Sequence, residues 1–192
     1  TPLTEEVVLN DVDTTTTETT YRYFTPGSKS IIKPGTITTS LNGNVIQTLT
    51  VNRYDTCGNP VHVTLNGDKN TCYIWGYNGT TLVAEIKNAT YLDVVRALGI
   101  TTLDDILNRP TLTSADYNAL LGMKNSSSLE NAHVTIYEHY PLIGIKSVTD
   151  PSGRKMIYEY DASCRLRAIK EDMGNNNFNV IESYDYNLIN TL

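Results

Sequence analysis

From Thr36 to Ile86 the chain alternates apolar and polar positions with a period of two, the signature of strands that are wet on one side. Val61, Val63 and Leu65 fall to one side, His62 and Thr64 to the other. Tyr73, Trp75 and Tyr77 share a face, with Cys72 and Ile74 behind them, and Leu82, Ala84 and Ile86 continue the alternation. Asn42-Gly43, Asn66-Gly67 and Asn78-Gly79 punctuate the run. Asparagine and glycine tolerate the positive φ of a type I′ hairpin turn, so the stretch predicts an antiparallel meander of short strands.

Earlier residues read less regularly. Glu6–Asn10 predicts an edge strand, and the threonine-rich run to position 20 a loosely held connection; together they form an N-terminal appendage over 1–20. Tyr21–Phe24 predicts a short strand stopped by Thr25-Pro26-Gly27, and Ser30–Lys33 another stopped by Pro34-Gly35.

Over residues 90–122 the period changes to that of helices. Tyr91, Val94, Val95 and Leu98 form one face, with Thr90 as N-cap and Gly99 just past the end. Thr102–Asp105 resembles a capping box before Ile106-Leu107, with Pro110 as the stop. Thr113–Asp116 opens a third piece through Leu121, ended by Gly122. Lys124–Ser128 reads as a polar loop. Strands resume at Val134–Tyr137, break at Pro141, continue over Ile143–Val148 and meet a turn at Asp150-Pro151-Ser152-Gly153.

The most organised stretch follows. Met156, Tyr158 and Tyr160 share a strand face, and Asp161-Ala162-Ser163-Cys164 suits a tight turn because the carboxylate can accept from the backbone ahead of it. Arg165–Ala168 restarts a strand, Gly174 and three asparagines turn it, and Phe178, Val180, Glu182, Tyr184 and Tyr186 alternate again. Asp185 opens a further Tyr-Asp pair, and the tail Asn187–Leu192 is expected to fray.

These residues resemble the tyrosine-aspartate repeats of the Rhs family, which includes wall-associated and toxin-carrying bacterial proteins and the teneurins. The matching positions are Gly153, Tyr158-Glu159-Tyr160-Asp161, Arg165-Leu166 and Gly174; Tyr54-Asp55-Thr56-Cys57-Gly58-Asn59 is a degenerate copy. Asp55, Gly58, Asp161, Arg165 and Asp185 are thus the expected repeat-turn residues. Cys164 stands where the family has glycine, which argues against a left-handed backbone there, since a Cβ disfavours it. The resemblance implies a mainly β chain: an extended, twisted antiparallel sheet of hairpins carrying the helical insert, in one domain over 1–192.

Composition narrows the function. The net charge is −6 with only 15 basic residues and no basic run, which argues against nucleic acid. No apolar stretch approaches the roughly 20 residues of a membrane helix. Cys57, Cys72 and Cys164 are odd in number and lack metal-site spacing; three free thiols, or one disulfide with a free partner, are the alternatives. His133 and His139 share a predicted strand face but lie too far apart to share an ion. Asn78-Gly79-Thr80 and Asn88-Ala89-Thr90 match the N-glycosylation pattern, without meaning in a bacterial chain. No nucleophile, metal or cofactor motif appears.

Tyr73, Trp75, Tyr77, Tyr158, Tyr160, Tyr184 and Tyr186 form an aromatic set that either packs as cross-strand pairs or stacks on a glycan. The resemblance implies a non-enzymatic scaffold, secreted or in the cell envelope, working in adhesion or in encasing a toxin. Its partners would be other copies, or the remainder of a longer chain, joined through open sheet edges. A carbohydrate-binding module using the Tyr/Trp face is the alternative. Toxin-carrying relatives cut themselves near an Asp-Pro-x-Gly element, but Asp150–Gly153 precedes a repeat unit and reads as a plain turn.

Overall fold

The computed structural model describes residues 5–10 and 13–186, with side chains from residue 13. The described residues form two compact units that divide between His133 and Val134. The tail Asn187–Leu192 lies outside the described residues.

Among the described residues of the first unit, seven strands run β1 (Glu5–Asn10), β2 (Asp13–Phe24), β3 (Ile31–Leu41), β4 (Asn44–Tyr54), β5 (Pro60–Leu65), β6 (Lys69–Gly76) and β7 (Thr81–Lys87). Each pairs antiparallel with the next. The Asn-Gly turns form as the sequence requires: Asn42 and Gly43 take φ 50° and 79°, Asn66 and Gly67 52° and 84°.

The threonine run is not a loose connection. It lies inside β2, with Thr15 opposite both Val8 of β1 and Leu41 of β3. β-branched side chains suit a pleated strand, and ladder bonds on both sides satisfy the backbone without an apolar face. Nor does Pro34-Gly35 end a strand. β3 runs through it, and the β2–β3 register shifts between Thr20 and Tyr21. A proline lacks an N–H, so a bulge is where a sheet can hold one.

The helical insert comprises α1 (Tyr91–Leu98), α2 (Asp104–Leu107) and α3 (Ser114–Gly122). Thr90 and Asp93 close a reciprocal capping box on α1, and Gly99 ends it at φ 66°. Thr113 and Asp116 repeat the device on α3. The box expected over Thr102–Asp105 does not form: Leu103 is the N-cap and has no side-chain cap, and the Thr102 hydroxyl accepts from the Asp104 N–H at 3.2 Å rather than from the Asp105 N–H. Lys124–Ser128 is not a plain loop but part of two 3₁₀ turns, Met123–Asn125 and Ser127–Leu129, that bury Met123 and Leu129.

The insert is what gives this unit its core. α2 packs on β6, and Cys72, Ile74, Val83, Ala84 and Ile86 are wholly buried beside Val94, Leu107 and Leu120. Each large apolar side chain so buried contributes about 1.5–3 kcal/mol. Burial also pushes the Cys72 thiol up to about 12. A second cluster, Val51, Tyr54 and Val63, gathers Phe24, Ile31, Leu49 and Tyr73.

The second unit is a meander of β8 (His133–Tyr140), β9 (Gly144–Thr149), β10 (Lys155–Tyr160), β11 (Leu166–Asp172) and β12 (Phe178–Ser183), again antiparallel throughout. The expected mainly β, antiparallel hairpin fold with a small helical insert is therefore the one observed.

Candidate functional site

The recurrent feature of this chain is a hairpin end built around an aspartate. At the β4–β5 loop the Asp55 N–H donates to the Asn59 carbonyl at 2.9 Å, and the Gly58 N–H returns to the Asp55 carbonyl at 3.1 Å. Asp55 Oδ1 accepts from the N–H groups of Cys57 and Asn59 at 2.9 and 2.8 Å. The β10–β11 loop repeats this atom for atom. Asp161 N–H donates to Arg165 O at 2.8 Å and Cys164 N–H to Asp161 O at 2.9 Å, while Asp161 Oδ1 accepts from Ser163 N–H and Arg165 N–H at 2.8 and 3.0 Å.

A third copy joins β9 to β10. Asp150 N–H donates to Arg154 O at 2.9 Å, Gly153 N–H to Asp150 O at 3.0 Å, and Arg154 N–H to Asp150 Oδ1 at 3.0 Å. The Ser152 hydroxyl takes the remaining role, donating to Oδ1 at 2.6 Å. Sequence reading saw Asp150–Gly153 as an ordinary turn. The Asp-x-x-Gly spacing shared with Asp55–Gly58 was the signal that would have placed it with the others.

Electrostatics follow from this geometry. The backbone and guanidinium of Arg165 hold the Asp161 carboxyl below its ordinary value. The Ser152 hydroxyl, then the Arg154 N–H, do the same for Asp150. Arg165 is fixed twice, by Asp161 Oδ2 at 2.8 Å from Nε and by the Tyr186 ring 4.3 Å below its guanidinium.

A tyrosine hydroxyl clasps the preceding strand beside these ends. Tyr54 donates to Pro34 O at 3.0 Å, Tyr160 to Ile145 O at 2.9 Å and Tyr186 to Leu166 O at 2.9 Å. The third clasp corrects the repeat register. Tyr186 occupies the place of Tyr160, so Asp185 corresponds to Glu159 and not to the turn aspartate Asp161.

Most of the other aromatic residues are half-buried and engaged within the fold. Tyr73 packs on the Val51–Tyr54–Val63 cluster. Trp75 Nε1 donates to Pro60 O at 2.9 Å. Tyr77 lies past the end of β6 at φ 54°, off the expected strand face, and its hydroxyl meets that of Tyr117 at 3.0 Å. Tyr158 is half-buried, Tyr160 sits edge-on to Tyr140 at 6.2 Å, and the exposed Tyr184 donates to the Glu182 carboxylate. No continuous row of Tyr73, Trp75 and Tyr77 results.

Comparison with known proteins bears on the fold. The fold is Rhs-like. It resembles the crystal structures of TcdB2-TccC3, an Rhs/YD-repeat toxin complex, without its hypervariable C-terminal region and with Cdc42: the TM-score is 0.50 and the identity 11% in both, over 95% of this chain and 8% of that one. In sequence, 95 residues are 33% identical to neural cadherin of Drosophila melanogaster, 48% of this chain and 3% of the cadherin. The chain thus spans a small part of each protein it matches. No known family profile matches.

The remaining candidates stay apart. His62 Nε2 is bound to Asn70 Oδ1 at 3.0 Å and His133 Nδ1 to Asn88 Nδ2 at 3.4 Å. Among the described residues no three His, Cys, Asp or Glu side chains converge as a metal site. All three cysteines are free, Cys57 and Cys164 exposed and Cys72 buried.

Proposed function

We propose that this chain is a length of Rhs/YD-type wall: a non-enzymatic scaffold module, secreted or carried on a cell envelope, that serves adhesion or the encasing of a toxin. The observation that carries the reading is the recurrence of one hairpin end, Asp55–Asn59, Asp150–Arg154 and Asp161–Arg165, with hydroxyl clasps from Tyr54, Tyr160 and Tyr186. A device repeated with nearly the same bonds at three hairpins holds strand to strand; it does not converge on a reacting atom.

One groove of the first unit supports the same view. The groove of about 290 Å³ between the ends of β2 and β4 is lined by Arg22, Phe24, Asn52, Arg53, Tyr54 and their neighbours, with no carboxylate. Acid–base hydrolysis of a glycan would need two. Its partners are the remainder of a longer chain or further copies, added strand by strand at the sheet edges.

The test is cryo-electron microscopy of the protein encoded by the complete reading frame. Expected is a closed wall of hairpins in which this segment is one continuous stretch. A free-standing domain flanked by unrelated folds would overturn the proposal.

A further inference from the structure

A small cavity of about 10 Å³ lies where the helical insert meets the β4–β5 hairpin end. It is lined by Arg53, Tyr54 and Asp55 from the strand and its loop, by Pro26 and Gly27, and by Tyr91, Thr102, Leu103 and Asp104 from the insert. That volume is about one water molecule's. The buried Asp55 and the half-exposed Asp104 therefore line one small joint.

Their commitments differ. Asp55 is 5% exposed, and its oxygens already accept three hydrogen bonds, from the N–H groups of Cys57 and Asn59 and from Asn59 Nδ2 at 3.0 Å. It cannot move without opening its hairpin end. Asp104 is the first residue of the four-residue α2, which has no side-chain cap. Its segment is anchored through Tyr91, whose hydroxyl accepts from Leu103 N–H at 3.3 Å and donates to Thr102 Oγ1 at 3.4 Å. The charged and titratable groups around Asp104 are Asp55 from the loop, Asp105 from α2, and Arg53 from β4, whose guanidinium lies 4.1 Å over the Tyr91 ring. Tyr54 and Tyr91 complete the walls.

We propose that Asp104 and Asp55 form an acid-strengthened latch, in which protonation of Asp104 draws α2 onto the β4–β5 hairpin end and ionisation loosens it. Burial, and then the neighbouring Asp55 charge, push the Asp104 carboxyl above its ordinary value, with Arg53 only partly opposing them. The sign follows. A carboxyl raised by folding prefers its proton in the fold, so its favourable contribution is full below the unfolded value of about 3.9 and is lost as pH rises through the folded one. The joint is tight in acid and eased near neutrality, while the hairpin end keeps its shape.

Hydrogen exchange on the whole chain, corrected for intrinsic rate, tests the latch between pH 7 and a pH of about 3.5, below the unfolded carboxyl value. In the wild type, protection of the Asp104–Leu107 amides is expected to rise several-fold relative to the β2–β3 amides as pH falls. Asp104→Asn, which mimics the protonated form, is expected to hold the higher protection at both pH values. Asp105→Asn, next to it but exposed, is expected to keep the wild-type response. If Asp104→Asn retains that response, or if Asp105→Asn abolishes it equally, the latch is wrong. Loss of α2 protection in Asp104→Asn at both pH values would also overturn it, since the neutral form would then not be the tight one.

Discussion

Cys164 holds φ +60° in the loop position that Gly58 fills at φ +86° in the equivalent hairpin end. The sequence argued against that backbone for a residue with a Cβ. The turn forms anyway because four hydrogen bonds between Asp161 and residues 163 to 165 determine its shape, and together they outweigh the about 1–2 kcal/mol that a left-handed residue costs. Cys164→Gly should therefore stabilise the chain by about 0.5–1 kcal/mol, the relief of strain less the added freedom of the unfolded glycine. Gly58→Ala should destabilise it by about 1 kcal/mol. Urea unfolding of both variants checks the pair, and a destabilised Cys164→Gly would sink the argument.

The clasps can be weighed one at a time. Tyr160→Phe keeps the ring against Tyr140 but leaves the Ile145 carbonyl without its 2.9 Å partner. A loss of about 1 kcal/mol is expected in chemical denaturation. A change within experimental scatter would mean that the ring, not the hydroxyl, secures the strand.

Asp161 gives the second unit an acid-sensitive element. Its carboxyl is held below the ordinary value by the Arg165 N–H and guanidinium. A depressed carboxyl contributes stability above the unfolded value of about 3.9 and loses it as pH falls through the folded one. Thermal melts from pH 6 down to pH 2 should show the wild type losing stability more steeply than Asp161→Asn. Parallel curves would remove Asp161 from the account.

Gly35 makes room for an arginine. The Arg22 guanidinium lies 4.5 Å over Phe24, and Nη2 donates to the Val51 carbonyl of β4 from across β3. A Cβ on Gly35 would stand 2.8 Å from Arg22 Cγ. Gly35→Ala should cost about 1–3 kcal/mol by displacing that side chain. In an Arg22→Ala background the cost should shrink, a coupling that a double-mutant cycle reads directly. Additive effects would show that Gly35 serves something else.

Much of the fold was legible where local chemistry decides. The Asn-Gly turns, the N-cap at Thr90, the helix start at Thr113, and the strands Lys155–Tyr160 and Leu166–Asp172 follow from neighbours a few residues apart, whereas the one capping box expected, at Thr102, did not form. The misses share a cause. The Thr14–Thr17 stretch is strand because β1 and β3 flank it, and Pro34 survives in β3 because the register shifts beside it and its carbonyl meets Tyr54, 20 residues on. Tyr77 leaves the aromatic face because the turn bends it toward Tyr117. None of those partners is visible in a window around the residue itself.

Taken alone, then, the order of residues determined the period of each element, the places where the chain turns, and the tyrosine-aspartate unit that marks its kind. Only the tertiary structure decided that the threonine run and Pro34 lie inside strands, that Tyr54, Tyr160, Tyr186 and Trp75 spend their polar tips on backbone carbonyls, and that Asp55 and Asp104 line one cavity. Periodicity is written in spacing along the chain, whereas a hydroxyl or carboxylate acquires its role from whichever distant strand or helix folding brings to it.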